Sequence, residues 1–232
     1  MYEHVLDRAR IRPGIAVLDC GCGAGRFVAL ATERGAAAAG IDASAELAKI
    51  ATKRIPGADI RVGDFEALPW PDKTFDVVTG FSSFQFADDH AAALAEARRV
   101  CRDGLWVAIP TQLADSGIPA VFAALATLLP PESLSSLKRS GMYALSAPGM
   151  LEEMLFRTGM RSRSDETIEA TSVFPDTEAA VGAFLSAGAT ALAIRHSGQS
   201  AVETALHAAL APFTGNRGQV TLPGWFRVIQ TG

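Results

Sequence analysis

The apolar positions of this chain fall into short runs separated by polar turns. Residues 15–20, IAVLDC, are apolar apart from Asp19 and read as a short buried strand. RFVALATERG at 26–35 has helical spacing and stops at Gly35. AAAAGID at 36–42 is poor in β-formers and is assigned to a second strand by its position. Ser44 suits the N-cap of a helix over AELAKIATKR, which Pro56 halts. DIRVGD at 59–64 predicts a third strand, and PWPDKTFD is turn chemistry. FDVVTG at 75–80 is a fourth strand, with the apolar continuity of a parallel strand covered on both faces. DDHAAALAEARRVCRDG at 88–104 predicts a helix whose early acids and late arginines complement the helix dipole. GLWVAIP at 104–110 is a fifth strand.

Strand and helix therefore alternate through residue 110, the signature of a doubly wound parallel sheet. Beyond it the rhythm changes. Residues 111–147 are apolar and contain prolines, and a helix follows at about 148–158. RSRSDETIEATSVF at 161–174 alternates and predicts one strand. Residues 176–213 read as helix in two pieces, split near HSGQ at 196–199. After the turn TGNRGQ, TLPGWFRVIQ predicts a final strand.

Composition narrows the class. At 232 residues, 49% hydrophobic and 20% charged, the chain can bury a sizeable core and does not have a disordered protein's composition. A net charge of -4 and the lack of a basic run argue against nucleic acid as a partner. Arg98, Arg99 and Arg102 read as a solvated helix face. Three cysteines, Cys20, Cys22 and Cys101, give no disulfide framework. The Cys20–Cys22 pair has no His or Cys cluster near it in sequence, so small apolar packing is expected rather than a metal. MYEHVLDRAR lacks the apolar stretch of a signal peptide. The apolar segment IPAVFAALATLLPP at 118–131 is too short for a membrane span, so a soluble, cytoplasmic protein is expected.

In a doubly wound sheet, ligands bind beyond the carboxyl ends of the strands. There VLDCGCGAGRFV at 17–28 places Gly21, Gly23 and Gly25 at alternate positions. Such a run is a bare tight turn or a place where a ligand approaches the backbone, and the helix that follows favours a negative group at its N-terminus. Asp42 ends the second strand, where a carboxylate can accept both hydroxyls of a ribose. Asp64, with Phe65 beside it, ends the third, where it can accept from an adenine amino group. TGFSSFQF ends the fourth. Singly, each acid also suits a loop cap; together the four strand ends mark a binding site. His90, His196 and His207 are candidate bases, each with a plain surface or structural alternative. Trp70, Phe81, Phe84 and Phe86 line a pocket or fill the core.

The D-x-G-x-G-x-G pattern from Asp19 to Gly25, followed by GIDAS and VGDFEALPWPDKTFDVVTGFSSFQF, resembles the class I S-adenosylmethionine-dependent methyltransferases. The likeness is strongest to the branch with ubiquinone/menaquinone-biosynthesis-type and other small-molecule enzymes, and covers residues 5–110; FRVIQ matches that fold's antiparallel last strand. The resemblance implies one domain over 1–232. Its core is a Rossmann-like, mostly parallel seven-stranded sheet, and 111–147 and 176–213 are helical cap insertions that cover the substrate. It implies methyl transfer from S-adenosylmethionine, leaving S-adenosylhomocysteine. Gly21, Gly23 and the backbone near Asp19, in the loop closed by Gly25, would hold the methionine part. Asp42 would bind the ribose and Ala43 touch the adenine. Asp64 and Phe65 would bracket the adenine edge, and Phe81 and Ser82 would lie near the methionine and the transferred methyl.

Three features depart from the family pattern. The glycine pair before the fifth strand is reduced to RDG. Little chain precedes the first strand, where helices often cover the substrate. TGFSSF stands where an N-P-P-Y or D-P-P-Y would serve amino-methylation of adenine or glutamine. A non-catalytic cofactor-binding protein of the same fold is the rival reading. A nucleotide-dependent oxidoreductase is disfavoured by the glycine spacing.

Overall fold

A computed structural model describes residues 1–111, 116–133, 141–186 and 188–232. The chain forms two compact units, one of residues 1–110, 142–168 and 226–232, the other of residues 111–141 and 169–225.

The first unit is built on nine elements of the chain's opening half. They are α1 (Tyr2–Arg8), β1 (Ala16–Cys20), α2 (Arg26–Glu33), β2 (Ala37–Asp42), α3 (Ala45–Arg54), β3 (Asp59–Val62), β4 (Phe75–Phe81), α4 (His90–Val100) and β5 (Cys101–Pro110). A short 3-10 turn, Phe84–Phe86, lies between β4 and α4. With β6 (Ser162–Glu169) and β9 (Trp225–Thr231), the strands make a seven-stranded sheet in the order β3-β2-β1-β4-β5-β9-β6. The pairs β2–β3, β1–β2, β1–β4 and β4–β5 are parallel, and β9 runs antiparallel to β5. The doubly wound sheet with its antiparallel last strand is thus as the resemblance implies. Strand order reverses between β1 and β4, which places a binding crevice at their carboxyl ends.

The central strands are largely apolar because alternate residues enter different cores. Leu18, Val78 and Val107 join the cluster with Leu94 and Ala97 of α4, and with Leu151 of α6 (Met150–Arg157). Val17, Val77 and Trp106 join the cluster with Leu6 of α1 and Phe27 of α2. Helix α1 was not evident from the sequence; it is anchored by Val5 and Leu6, both fully buried.

The second unit contains α5 (Gly117–Ala126), α7 (Thr177–Leu185), α8 (Gly188–Ser197) and α9 (Gln199–Leu210). It also holds an antiparallel pair of β7 (Ser172–Phe174) and β8 (Val220–Leu222). Val121, Leu125, Val202, Leu206 and Leu222 are in its core. Among the described residues no single helix is long and apolar enough to cross a membrane.

Four elements differ from the sequence-based expectations. Helix α4 ends at Val100, and β5 starts at Cys101, which turns extended and pairs with Phe75. Residues 161–174 are two strands, β6 and β7, in different sheets. Between them the N–H of Ala170 donates to Gly224 O at 2.8 Å. The 176–213 stretch is three helices; the split at Gly198 is as expected, and a further break follows Leu185. The final strand is likewise two, β8 and β9. Residues 112–115 and 134–140 of the anticipated first insertion lie outside the described residues.

Candidate active site

Each glycine of the loop after β1 has a positive φ: +70° at Gly21, +53° at Gly23 and +76° at Gly25. Their reasons differ. A Cβ on Gly21 would lie 2.4 Å from Ser83 Cβ, and one on Gly25 would lie 2.8 Å from both Ala51 Cβ and Ile55 Cδ1. Those two glycines are required by packing against β4's turn and α3. A Cβ on Gly23 would meet nothing within 4 Å, so backbone there borders open space.

Asp42 closes the loop from β2. Its Oδ2 accepts from Gly23 N–H at 2.7 Å, and its Oδ1 accepts from Ser44 N–H at 2.9 Å. Ser44 in turn caps α3, its hydroxyl accepting from Leu47 N–H. The N–H groups of Gly21 and Cys22 donate to Ile41 O, which ties the β1 loop to the end of β2. A carboxylate oxygen has room for a second hydrogen bond, so Asp42 keeps acceptor capacity while bracing the turn.

At the end of β3, Asp64 is exposed and its Oδ1 accepts from Glu66 N–H at 2.8 Å. Phe65 packs edge-on against Phe84 with ring centroids 5.6 Å apart. Glu66, which the sequence reading did not single out, ties this loop to the one after β4: its Oε1 accepts from the N–H groups of Asp88 and Asp89. Phe81 at the end of β4 packs on Tyr2 and Phe27, at 4.7 and 4.6 Å between centroids. Ser82 follows with φ +53°, a strained angle for a residue with a side chain, and its N–H donates to Ala108 O. Ala43 is exposed beside Asp42. All ten anticipated cofactor residues therefore sit at the carboxyl ends of four adjacent strands.

Asp19 is 3% exposed and has no cationic partner among the described residues. Its Oδ1 accepts from Thr79 Oγ1 at 2.8 Å. Burial pushes its carboxyl up to about 7 against the pull of the Thr79 hydrogen bond, and the nearby charge of Asp42 adds to the rise. Tyr2 is held above the usual phenol range by burial and then by Asp19.

The aromatic candidates do not share one lining. Trp70 stacks edge-on with Phe75 and lies under the Arg61 guanidinium, Phe84 is core, and Phe86 is exposed. His90 Nε2 lies 3.2 Å from Gln85 O at the start of α4. His196 is exposed on α8 of the second unit, and His207 lies 3.5 Å from Glu178. The three cysteines are free thiols; burial drives that of Cys22 up to about 12. Among the described residues no three His, Cys, Asp or Glu side chains gather as metal ligands.

Residues 18–109 match the family described as "Methyltransferase domain". Over 114 residues the chain is 33% identical to malonyl-[acyl-carrier protein] O-methyltransferase of Serratia marcescens, covering 49% of this chain and 45% of that one. Over 169 residues it is 28% identical to an O-methyltransferase of Pyrenophora dematioidea, covering 69% of this chain and 60% of that one. In structure it is similar to the YcgJ protein of Bacillus subtilis, with a TM-score of 0.61 at 18% identity over 99% of this chain and 96% of that one. The chain spans about half the length of these two curated relatives. Over residues 18–109 the chain is thus similar to a methyltransferase domain.

Proposed function

We propose that this protein transfers a methyl group from S-adenosylmethionine to a small organic acceptor and releases S-adenosylhomocysteine. The observation that carries the reading is the Asp42–Gly23 arrangement. A carboxylate with spare acceptor capacity stands at the end of β2, beside a backbone turn bordered by open space. That geometry fits a ribose whose hydroxyls donate to Asp42 while the rest of the cofactor passes the glycines. In the same reading Ala43, Asp64 and Phe65 border the adenine. Asp19, Gly21, Gly25, Phe81 and Ser82 border the methionine end.

When bound, the cofactor supplies an electrophilic methyl on a sulfonium sulfur. The chain's own task is then to hold the acceptor atom in line at near-attack distance and to exclude water. A base is needed only where the acceptor must lose a proton, and His90 and His196 are the candidates. The two relatives named as O-methyltransferases support oxygen as the acceptor atom. A cytoplasmic location belongs to the same proposal.

The test is thermal unfolding with S-adenosylmethionine, S-adenosylhomocysteine and NAD in parallel. A ligand at about 100 times its dissociation constant adds about 2.7 kcal/mol, a rise of roughly 5–11 °C for a chain of this size. A rise with the two sulfur compounds alone is expected. No rise with either, or an equal rise with NAD, refutes the assignment.

A further inference from the structure

The turn after β4 carries three buried polar atoms that find no partner among the described residues: Ser83 Oγ, Gln85 Oε1 and Gln85 Nε2. Gln85 is fully buried and Ser83 is 6% exposed. A buried amide without hydrogen bonds is costly, so such groups are rare unless something meets them. The backbone also keeps this turn under strain, through the positive φ of Ser82. Glycines make room on both sides of Ser83. A Cβ on Gly80 would lie 2.8 Å from its hydroxyl, and one on Gly21 would lie 3.3 Å from it. The Ser83 hydroxyl is thus wedged between the end of β4 and the loop that borders the cofactor place. His90 Nε2 holds the carbonyl of Gln85, which leaves the side-chain amide to something else.

We propose that this turn recognises the polar group of the methyl acceptor, with the Gln85 carboxamide and the Ser83 hydroxyl as its binding residues. This rests on the methyl-transfer reading above. A carboxamide presents a donor and an acceptor side by side, and a hydroxyl adds one of either kind. The matching ligand has the complementary pair: a carboxamide, or an enol beside a carbonyl. It is neutral, because no Lys or Arg among the described residues bonds either side chain. Moreover, Asp19 lies two positions before Gly21 in the adjoining turn, and Asp42 at the end of β2 accepts from Gly23 N–H of that turn. A carboxylate brought there would meet the carboxylate of Asp42 and the acid Asp19.

Three measurements decide it. Gln85→Met is close in volume and apolar. If the amide is reserved for a ligand, this variant raises the unfolding midpoint of the free protein by a few degrees; a lower midpoint shows the amide serving the fold through bound water and overturns the proposal. Calorimetric titration with S-adenosylhomocysteine is expected to give a dissociation constant within twofold of wild type. A tenfold loss assigns the amide to the cofactor and also overturns it. Wild-type protein with 15N-labelled glutamine is then titrated with benzamide and with benzoate. Movement of the Gln85 side-chain resonance with benzamide alone is expected. Movement with benzoate alone, or with neither, overturns the neutral class. Failure of the wild type to bind S-adenosylhomocysteine counts against methyl transfer, while the midpoint and resonance readouts still judge this site by themselves.

Discussion

Asp42 Oδ2 accepts the amide hydrogen of Gly23 at 2.7 Å, fastening the end of β2 to the middle of the glycine turn. One carboxylate thereby shapes the loop and offers its remaining acceptor capacity outward. Asp42→Ala removes both the brace and the expected ribose contact, a charge-assisted interaction of about 1.5–3 kcal/mol. S-Adenosylhomocysteine should bind at least tenfold more weakly in calorimetry. An unchanged dissociation constant would mean the cofactor site lies elsewhere.

The three glycines separate stability from binding. Alanine at 23 adopts a left-handed angle at a cost of about 1–2 kcal/mol and meets no atom within 4 Å. Gly23→Ala should therefore fold, with that modest loss in urea denaturation, yet lose most affinity for S-adenosylhomocysteine. Gly21→Ala and Gly25→Ala add overlaps with Ser83 and with Ala51 and Ile55 to the same strain. Both should lose clearly more stability than Gly23→Ala. Equal losses at all three positions would contradict the packing assigned to them.

Asp19 gives the protein a distinctive pH dependence. Its folded carboxyl sits at about 7, above the ordinary carboxylate value of 3.8. Between those values the folded state holds a proton that the unfolded state has released, so this group's contribution to stability declines as pH rises from about 4 to 7 and then levels. Asp19→Asn keeps an acceptor for the Thr79 hydroxyl and removes the titration. The variant should unfold at a higher midpoint than wild type at pH 8, and the gap should close by pH 4–5. A gap that does not vary with pH would show that Asp19 is not the raised group. The comparison is made between the two proteins because Asp59, Asp76 and Glu96 are held below their ordinary range. They destabilise the fold as pH falls, the opposite slope.

Arg99 pins the chain between β3 and β4. It donates to Glu96 at 2.7 and 2.8 Å, to Asp72 at 2.8 Å, and to the carbonyls of Trp70 and Leu68 at 2.9 and 3.0 Å. Removal leaves two carbonyls and two acids, Glu96 and Asp72, without this donor. Arg99→Ala should lower stability by about 2 kcal/mol, measured by urea unfolding. Arg99→Lys should recover little, since a single ammonium cannot reproduce the guanidinium fork. Full recovery by lysine would reduce the residue to a simple surface charge.

The alternation through Pro110 was readable because each central strand is buried on both faces and each helix between them has its own stop, such as Gly35 or Pro56. The end of α4 was not. ARRVCRDG continues a helical pattern, and only the pairing of Cys101 with Phe75 across 26 positions sets the boundary at Val100. In 161–174 the alternation is real on both sides of Ala170, and a period of two carries no mark of which sheet a strand joins. At the site, the glycines and Asp42 announced themselves by spacing. Tyr2, Thr79 and Glu66 did not, since each acts through neighbours distant in sequence that only the folded chain brings near, and Gln85 did not, since only the folded chain shows its amide buried without a partner.

The register of β9 sets an order of assembly. It pairs Pro110 with Phe226 and Leu105 with Thr231, so this ladder joins residues more than a hundred positions apart. By contrast β1, β2, β3 and β4 pair within about sixty positions of one another. Closing the longer loop is entropically harder and slower. The half of the sheet bearing the glycine turn can therefore form early, while Val107 and Ile109 wait for a partner strand made much later. In the interval β5 is an open apolar edge, the stretch of this chain most exposed to misassociation while it folds.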